Sequence, residues 1–205
     1  MYRRELVQAD LERMMIPSRY WNVKFAEISD EGNPSPRSIA HKYISKIDEM
    51  VSNGIGLLLW GANGRGKTGM AVCIAKELRR RGLSVLFFES ASLKSAVIDK
   101  VAFDDEQSVW ERAKNVDALV LDDLGKGVQD STGFGARVID ELIRYRNARK
   151  MITFITTNMN TRQLGEELKI STMHSMKECL IPVSINGPDR RAANLEMISS
   201  ILMET

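Results

Sequence analysis

At 205 residues the chain suits one domain with room for a substantial core. Hydrophobic residues make up 43% and charged residues 27%, and 29 basic against 27 acidic residues leave a formal charge of +2, which excludes a strongly basic non-specific nucleic-acid binder but leaves room for a local basic face. Cys73 and Cys179 form no CxxC pair and His41 and His174 are isolated, which excludes a zinc site and a disulfide framework.

The spacing predicts a short helix over residues 3–15, with Val7, Leu11, Met14 and Met15 on one face and Pro17 ending it. That face suits packing on its own domain or on a partner. The N-terminus leads into no apolar signal-peptide core, and no run approaches the ~18 apolar residues of a membrane span. A cytoplasmic protein with no membrane partner is therefore expected. Residues 29–38 carry turn chemistry, and a helix is predicted over 39–52 with Ile44, Ile47 and Val51 on one face, closed by Asn53-Gly54.

Strand and helix then alternate. A strand over 56–60 precedes a helix over 67–81, whose last turn, Arg79-Arg80-Arg81 before Gly82, complements the helix dipole. Cys73 inside this helix reads as a small buried hydrophobe. A strand over 84–89 is followed by helices over 91–101 and 105–115. A strand over 116–121 delivers Asp122 and Asp123. A helix over 134–148, a strand over 151–156, a short helical piece from Thr161 and a strand over 181–185 complete the pattern. Such alternation argues an α/β fold with a mostly parallel sheet.

The chemistry concentrates in three places. Gly61-Ala62-Asn63-Gly64-Arg65-Gly66-Lys67-Thr68 is a Gly-x-x-x-x-Gly-Lys-Thr phosphate loop between a strand and a helix. Its glycines bring backbone N–H groups close to phosphate oxygens, Lys67 adds charge for the β- and γ-phosphates, and Thr68 offers a hydroxyl to magnesium. The N-terminus of the following helix, including Gly69, points its dipole at the same phosphates. Second, Leu119-Val120-Leu121-Asp122-Asp123-Leu124-Gly125 is an apolar strand ending in acids, where triphosphatases hold a metal-anchoring carboxylate. Asp122 would hold the magnesium, and Asp123 would orient or polarise the attacking water. Third, the strand ending at Thr157-Asn158 would place Asn158 beside the γ-phosphate.

Together with Ile16-Pro17-Ser18-Arg19-Tyr20 and Phe25 near the start, Arg144-Tyr145-Arg146, and Asn186-Gly187-Pro188-Asp189-Arg190-Arg191 near the end, these motifs make residues 15–192 resemble the DnaC/IstB branch of the AAA+ ATPases. That branch contains replicative helicase loaders and transposition helper ATPases. The resemblance implies a P-loop AAA+ fold, with a central parallel five-stranded sheet flanked by helices. It implies ATP and Mg2+ as cofactors, Arg190 or Arg191 as a late arginine at the nucleotide, and ATP held at a subunit junction of an ATP-dependent homo-oligomer. Single-stranded DNA would bind through helices over about 91–115, with Lys94 and Lys100 as candidates, and the partner would be a replicative DnaB-type helicase. It divides the chain into an N-terminal helix (1–15) open to partner contact, an ATPase domain (16–191) and a helical tail (192–205), in which Leu195, Ile198 and Leu202 make one apolar face.

One departure stands out. The family's arginine finger falls in Thr172-Met173-His174-Ser175-Met176-Lys177, with Ser175 where arginine is usual and Lys177 offering only a point charge. ATP hydrolysis driving helicase loading is the leading expectation. A transposase helper and a nucleotide-gated binding module with little turnover stand beside it. A small-molecule kinase is disfavoured, because no arginine-rich lid or acceptor pocket is evident.

Overall fold

A computed structural model describes residues 5–32, 34–93, 95–97, 108–125 and 133–189. The expected residues Lys94, Lys100, Arg190 and Arg191 and the tail over 192–205 lie outside the described residues.

Five strands form one parallel sheet: β1 (Gly56–Trp60), β2 (Val85–Glu89), β3 (Ala118–Asp122), β4 (Ile152–Thr157) and β5 (Leu180–Ser184), in the order β2-β3-β4-β1-β5. The inner strands β1 and β3 read as near-continuous apolar runs because both of their faces are covered, while β4, equally buried, carries Thr153, Thr156 and Thr157 among its apolar residues. Side-chain alternation splits the core in two. Leu57, Leu59, Val85, Phe87, Val120 and Phe154 face a layer containing α4 (Lys67–Arg80) and α2 (Pro36–Ser45). Leu58, Leu86, Phe88, Leu119, Leu121 and Ile155 face α5 (Val109–Asn115), α6 (Phe134–Ala148), α7 (Thr161–Glu167) and α8 (Ile170–Cys179).

The elements depart from expectation in three places. The N-terminal helix α1 covers only Gln8–Arg13, and only half of the expected stripe packs inward: Met14 is buried and Leu11 partly buried against the core, with Asp10 buried beside them. Val7 is 61% and Met15 39% exposed. Asp10 enters the buried face as an ion pair with Arg79 of α4 at 3.1 Å. The helix expected over 39–52 is two helices, α2 and α3 (Ile47–Asn53), starting earlier because Ser35 caps the Ser38 N–H and Pro36 takes the first turn. Lys46 between them leaves helical geometry (φ −108°, ψ 21°), and the change of direction lets Tyr43 and Ile47 both bury. Finally, α8 has no counterpart among the elements the sequence predicts.

The three arginines ending α4 are structural, as expected. Arg79 pairs with Asp10, Arg80 with Glu77, and Arg81 with Asp48 and Glu77. Both edges of the sheet carry a distinguishing feature. Phe87 of β2 donates its N–H to the Met14 carbonyl at 2.7 Å, and β5 contains Pro182.

Candidate functional site

The carboxyl ends of β1, β3 and β4 bring the three motifs together around a cleft of about 620 Å³. The loop after β1 turns on three glycines with positive φ, of which two also have no room for a side chain. A Cβ on Gly61 would meet the Ile185 carbonyl at 2.4 Å, and one on Gly64 would lie 1.9 Å from the Asp189 carboxylate. The chain beyond β5 is therefore pressed directly against the loop. Gly66 (φ 91°) caps α4, whose first residue is Lys67.

Lys67 is 7% exposed. Its ammonium donates to the Gly61 and Ala62 carbonyls, both at 2.8 Å, and to Asn158 Oδ1 at 2.7 Å. Asn158 Nδ2 in turn donates to Asp123 Oδ1 at 3.1 Å. The side-chain amide at the end of β4 thus bridges the loop lysine and the second acid.

Asp122 ends β3 and is 5% exposed. Its Oδ1 accepts the hydroxyls of Thr68 at 2.8 Å and Thr156 at 2.6 Å. Burial pushes the Asp122 carboxyl above its ordinary range, against the pull of the Thr156 and Thr68 hydrogen bonds, while the Asp123 and Glu89 charges push the same way as burial. Asp123 adopts a left-handed backbone (φ 53°), a conformation that costs a non-glycine residue ~1–2 kcal/mol. It is held there at three points: its N–H donates to Thr156 Oγ1 at 2.9 Å, its carbonyl accepts Ser90 Oγ at 2.8 Å, and its carboxylate accepts Asn158. The strained turn aims the exposed carboxylate into the cleft beside Asn63, Gly64, Gly66, Lys67, Thr68 and Gly69.

Of the expected residues, Arg65 does not line the cleft; Gly61 and Ala62 contribute the carbonyls that hold Lys67. The sequence reading missed four kinds of contribution. Glu89, paired in register with Asp122, adds a third acid. Thr156 links both aspartates, and Ser90 fixes the Asp123 backbone. Arg19, Tyr20, Val23 and Glu27 form the far wall. Their only sequence signal is the position of Arg19-Tyr20 in the lead-in stretch. Ser175 lies away from this cleft, half-buried on α8 and beside Arg144 and Tyr145 of α6 in a separate groove.

The donor set of Thr68 Oγ1 and Asp122 Oδ1, two hard oxygens 2.8 Å apart at the loop, fits a small divalent cation of the magnesium type. Among the described residues no helix is long and apolar enough to cross a membrane.

Comparison with known proteins agrees with this geometry. The model of the family described as "IstB-like ATP binding protein" matches residues 36–176. The chain is similar to the replicative helicase loader DnaC of Escherichia coli (strain K12), 27% identical over 175 residues, covering 83% of this chain and 69% of that protein. It is similar to the replicative helicase loader DnaI of Bacillus subtilis (strain 168) at 25% identity over 177 residues, covering 80% of this chain and 56% of that protein. Among solved structures, the crystal structure of the DnaC helicase loader superposes with a TM-score of 0.72 at 22% identity, covering 83% of this chain and 100% of that one. The replication initiator DnaA bound to AMPPCP and single-stranded DNA superposes with a TM-score of 0.67 at 15% identity, covering 82% of this chain and 51% of that one. At these identities the two superpositions speak to the fold, which is that of the AAA+ ATPases.

Proposed function

Because the chain belongs to the IstB-like ATP binding protein family, within the DnaC/IstB branch of the AAA+ ATPases, we propose that it is a helicase-loader-like ATPase of DNA replication, which binds ATP and Mg2+, engages single-stranded DNA and delivers a replicative DnaB-type helicase. The observation that carries the reading is the Lys67–Asn158–Asp123 chain of hydrogen bonds. It ties the residue that would meet the γ-phosphate to the one that would handle water, so occupancy of the loop is felt at the acid.

In this reading the loop glycines and Lys67 hold the triphosphate, and Thr68 and Asp122 hold the magnesium ion. The ion neutralises charge on the β- and γ-oxygens when bound. Asp123 orients the attacking water and accepts its proton, and Asn158 keeps that carboxylate in line. Arg190 and Arg191 would complete the site from beyond the described residues. Residues 16–191 form the ATPase domain, flanked by a partner-contacting N-terminal helix and a C-terminal tail, and ATP drives assembly of several copies. The similarity to two replicative loaders favours this role over a transposase helper.

The test is direct. Lys67→Ala abolishes saturable ATP binding, and the wild-type chain retains a hexameric replicative helicase in an ATP-dependent pull-down. A purified chain that binds ATP but no helicase would refute the loader role. One observation favours a second reading, a nucleotide-gated binding module with little turnover: a serine stands at the position where the family usually has a finger arginine, and an arginine finger is worth ~10³-fold or more in rate. Phosphate release measured with single-stranded DNA and helicase separates the two. Substantial turnover abolished in Asp123→Asn establishes the ATPase, and persistent ATP binding without phosphate release establishes the module.

A further inference from the structure

A second cleft, of about 330 Å³, opens at the opposite end of the sheet, where α1, the end of α4, the start of β2 and the end of α5 converge. Three arginines line it, Arg13, Arg79 and Arg112, with Ser84 and Asn115 as neutral polar neighbours, and among the described residues no carboxylate lines it. The contrast with the nucleotide cleft, which has Glu27, Glu89, Asp122 and Asp123 on its wall, is one of charge sign.

The three guanidiniums are not equally engaged. Arg79 is neutralised by Asp10 at 3.1 Å. Arg112 donates to the Arg13 carbonyl at 2.7 Å, a contact that occupies one N–H and leaves the charge uncompensated. Neither Arg112 nor exposed Arg13 makes an ion pair with a carboxylate among the described residues. Of the acids just outside the lining, Asp10 is taken up by Arg79 and Asp117 is turned to Ser84, accepting its N–H and its hydroxyl, each at 2.7 Å. Two uncompensated guanidiniums therefore share one concavity. Arg112 is held in place by a backbone contact, so part of the ordering cost of binding is already met.

We propose that this cleft is a binding site for a phosphate group, gripped by the forks of Arg13 and Arg112. Planar guanidiniums match phosphate oxygens bidentately, and among the described residues no acid lines the cleft to repel them, Asp10 being paired with Arg79. The group comes either from the backbone of a nucleic-acid strand or from a free phosphate. The inference does not rest on the loader reading, because the cleft lies at the amino ends of β2 and β3, away from the phosphate loop.

The experiment uses the full chain with ADP and magnesium saturating the phosphate loop. Binding of a fluorescent single-stranded oligonucleotide is measured by anisotropy over a salt series, for the wild type and for Arg13→Ala/Arg112→Ala. In parallel, the arginine Nε–H resonances are followed by NMR during titration with inorganic phosphate. If the strand is the source, the double variant binds about tenfold more weakly. Its salt slope is also shallower by about 0.7 for each phosphate that the variant no longer neutralises. If free phosphate is the source, the Arg13 and Arg112 resonances shift on titration while oligonucleotide binding is unchanged. The inference is overturned if the variant matches the wild type in anisotropy and the resonances do not move. Arg13→Lys/Arg112→Lys keeps the charge and removes the fork, so partial recovery is expected, and unchanged ADP affinity shows that the variants are folded. Absence of helicase binding alone would count against the loader role and leave this site untouched.

Discussion

Asp122 shows how one side chain in this site trades stability for chemistry. Its folded-state carboxyl is raised by burial, so the native state holds more protons than the unfolded chain as the pH climbs from the ordinary carboxylate value through the raised one. Stability is therefore lost across that window, and above it the ionised group is a liability to the apo fold. Asp122→Asn keeps an oxygen for Thr68 and Thr156 and removes the charge. We expect its thermal midpoint, without nucleotide or magnesium, to rise by about 2–4 °C, the equivalent of ~1 kcal/mol in a chain of this size. Calorimetry in the presence of a chelator checks it, and magnesium-dependent ATP affinity should fall in the same variant. Arg146 makes the opposite case. It is fully buried, and its donors reach Thr153 Oγ1 and the carbonyls of Ala113, Val116 and Ile152 instead of a carboxylate. Burial lowers its pKa to about 9, with Asp117 pulling the other way. Arg146→Met orphans several acceptors at once and should cost at least about 3 kcal/mol in urea unfolding. The sequence marks Arg146 only as part of a family motif, because nothing in its spacing distinguishes a buried guanidinium from the exposed ones at 144 and 149.

Among the elements, the N-terminal strap over 16–28 connects α1 to the nucleotide cleft. Trp21 Nε1 donates to the Ile16 carbonyl at 2.7 Å, and the buried Lys76 ammonium donates to the carbonyls of Trp21 at 2.5 Å and Val23 at 3.0 Å. Val23 also touches the start of α4, since a Cβ on Gly69 would meet it at 3.4 Å. Lys76→Met preserves bulk and releases both carbonyls. It should weaken ATP binding about tenfold with little change in helix content by circular dichroism. An unchanged affinity would mean that the strap does not shape the cleft. On the other face, Asp140 of α6 accepts the hydroxyls of Ser171 at 2.9 Å and Thr172 at 2.8 Å, which anchors the start of α8. Burial would raise its carboxyl, but the Thr172 and Ser171 hydrogen bonds and the Lys169 and Arg144 charges outweigh it and leave it lowered. A depressed value adds stability above the ordinary carboxylate pKa and loses it as the pH falls through the folded one. Asp140→Asn should cost about 1–2 kcal/mol at pH 7, and the difference from wild type should close in acid. Here lies the reason α8 was illegible: its sequence has only a weak apolar stripe, and its start is fixed by an acid about 30 residues earlier, a tertiary contact that local pattern cannot show. The strands β1, β2 and β3 were legible because double burial writes each as a largely apolar run, and α6 because its stripe is sustained over 15 residues.

At the scale of the molecule, the sheet order places β1 between β4 and β5, so the phosphate loop has Asn158 on one side and the stretch after β5 on the other. The three sequence motifs were legible separately because each has its own spacing. Their wall partners were not, because Arg19 and Glu27 reach the cleft only through the path of the strap. The loader reading predicts that ATP shifts the chain from monomer to a larger assembly. Mass measurement with ATP and with ADP tests this, and identical masses in both would count against it.

The two sheet margins bear on how such an assembly is built. An unguarded edge of five parallel strands is a template for adding another chain and for uncontrolled aggregation. The Met14 carbonyl occupies one N–H on the β2 side, and Pro182 removes a donor on the β5 side. Trimming the chain back past Met14 would unmask the first margin, and the expected symptom is time-dependent light scattering rather than a failure to bind ATP. In the ATP-driven assembly proposed above, guarded margins favour joints made through side chains and loops, where a bound nucleotide can influence them, over extension of the sheet, where it could not.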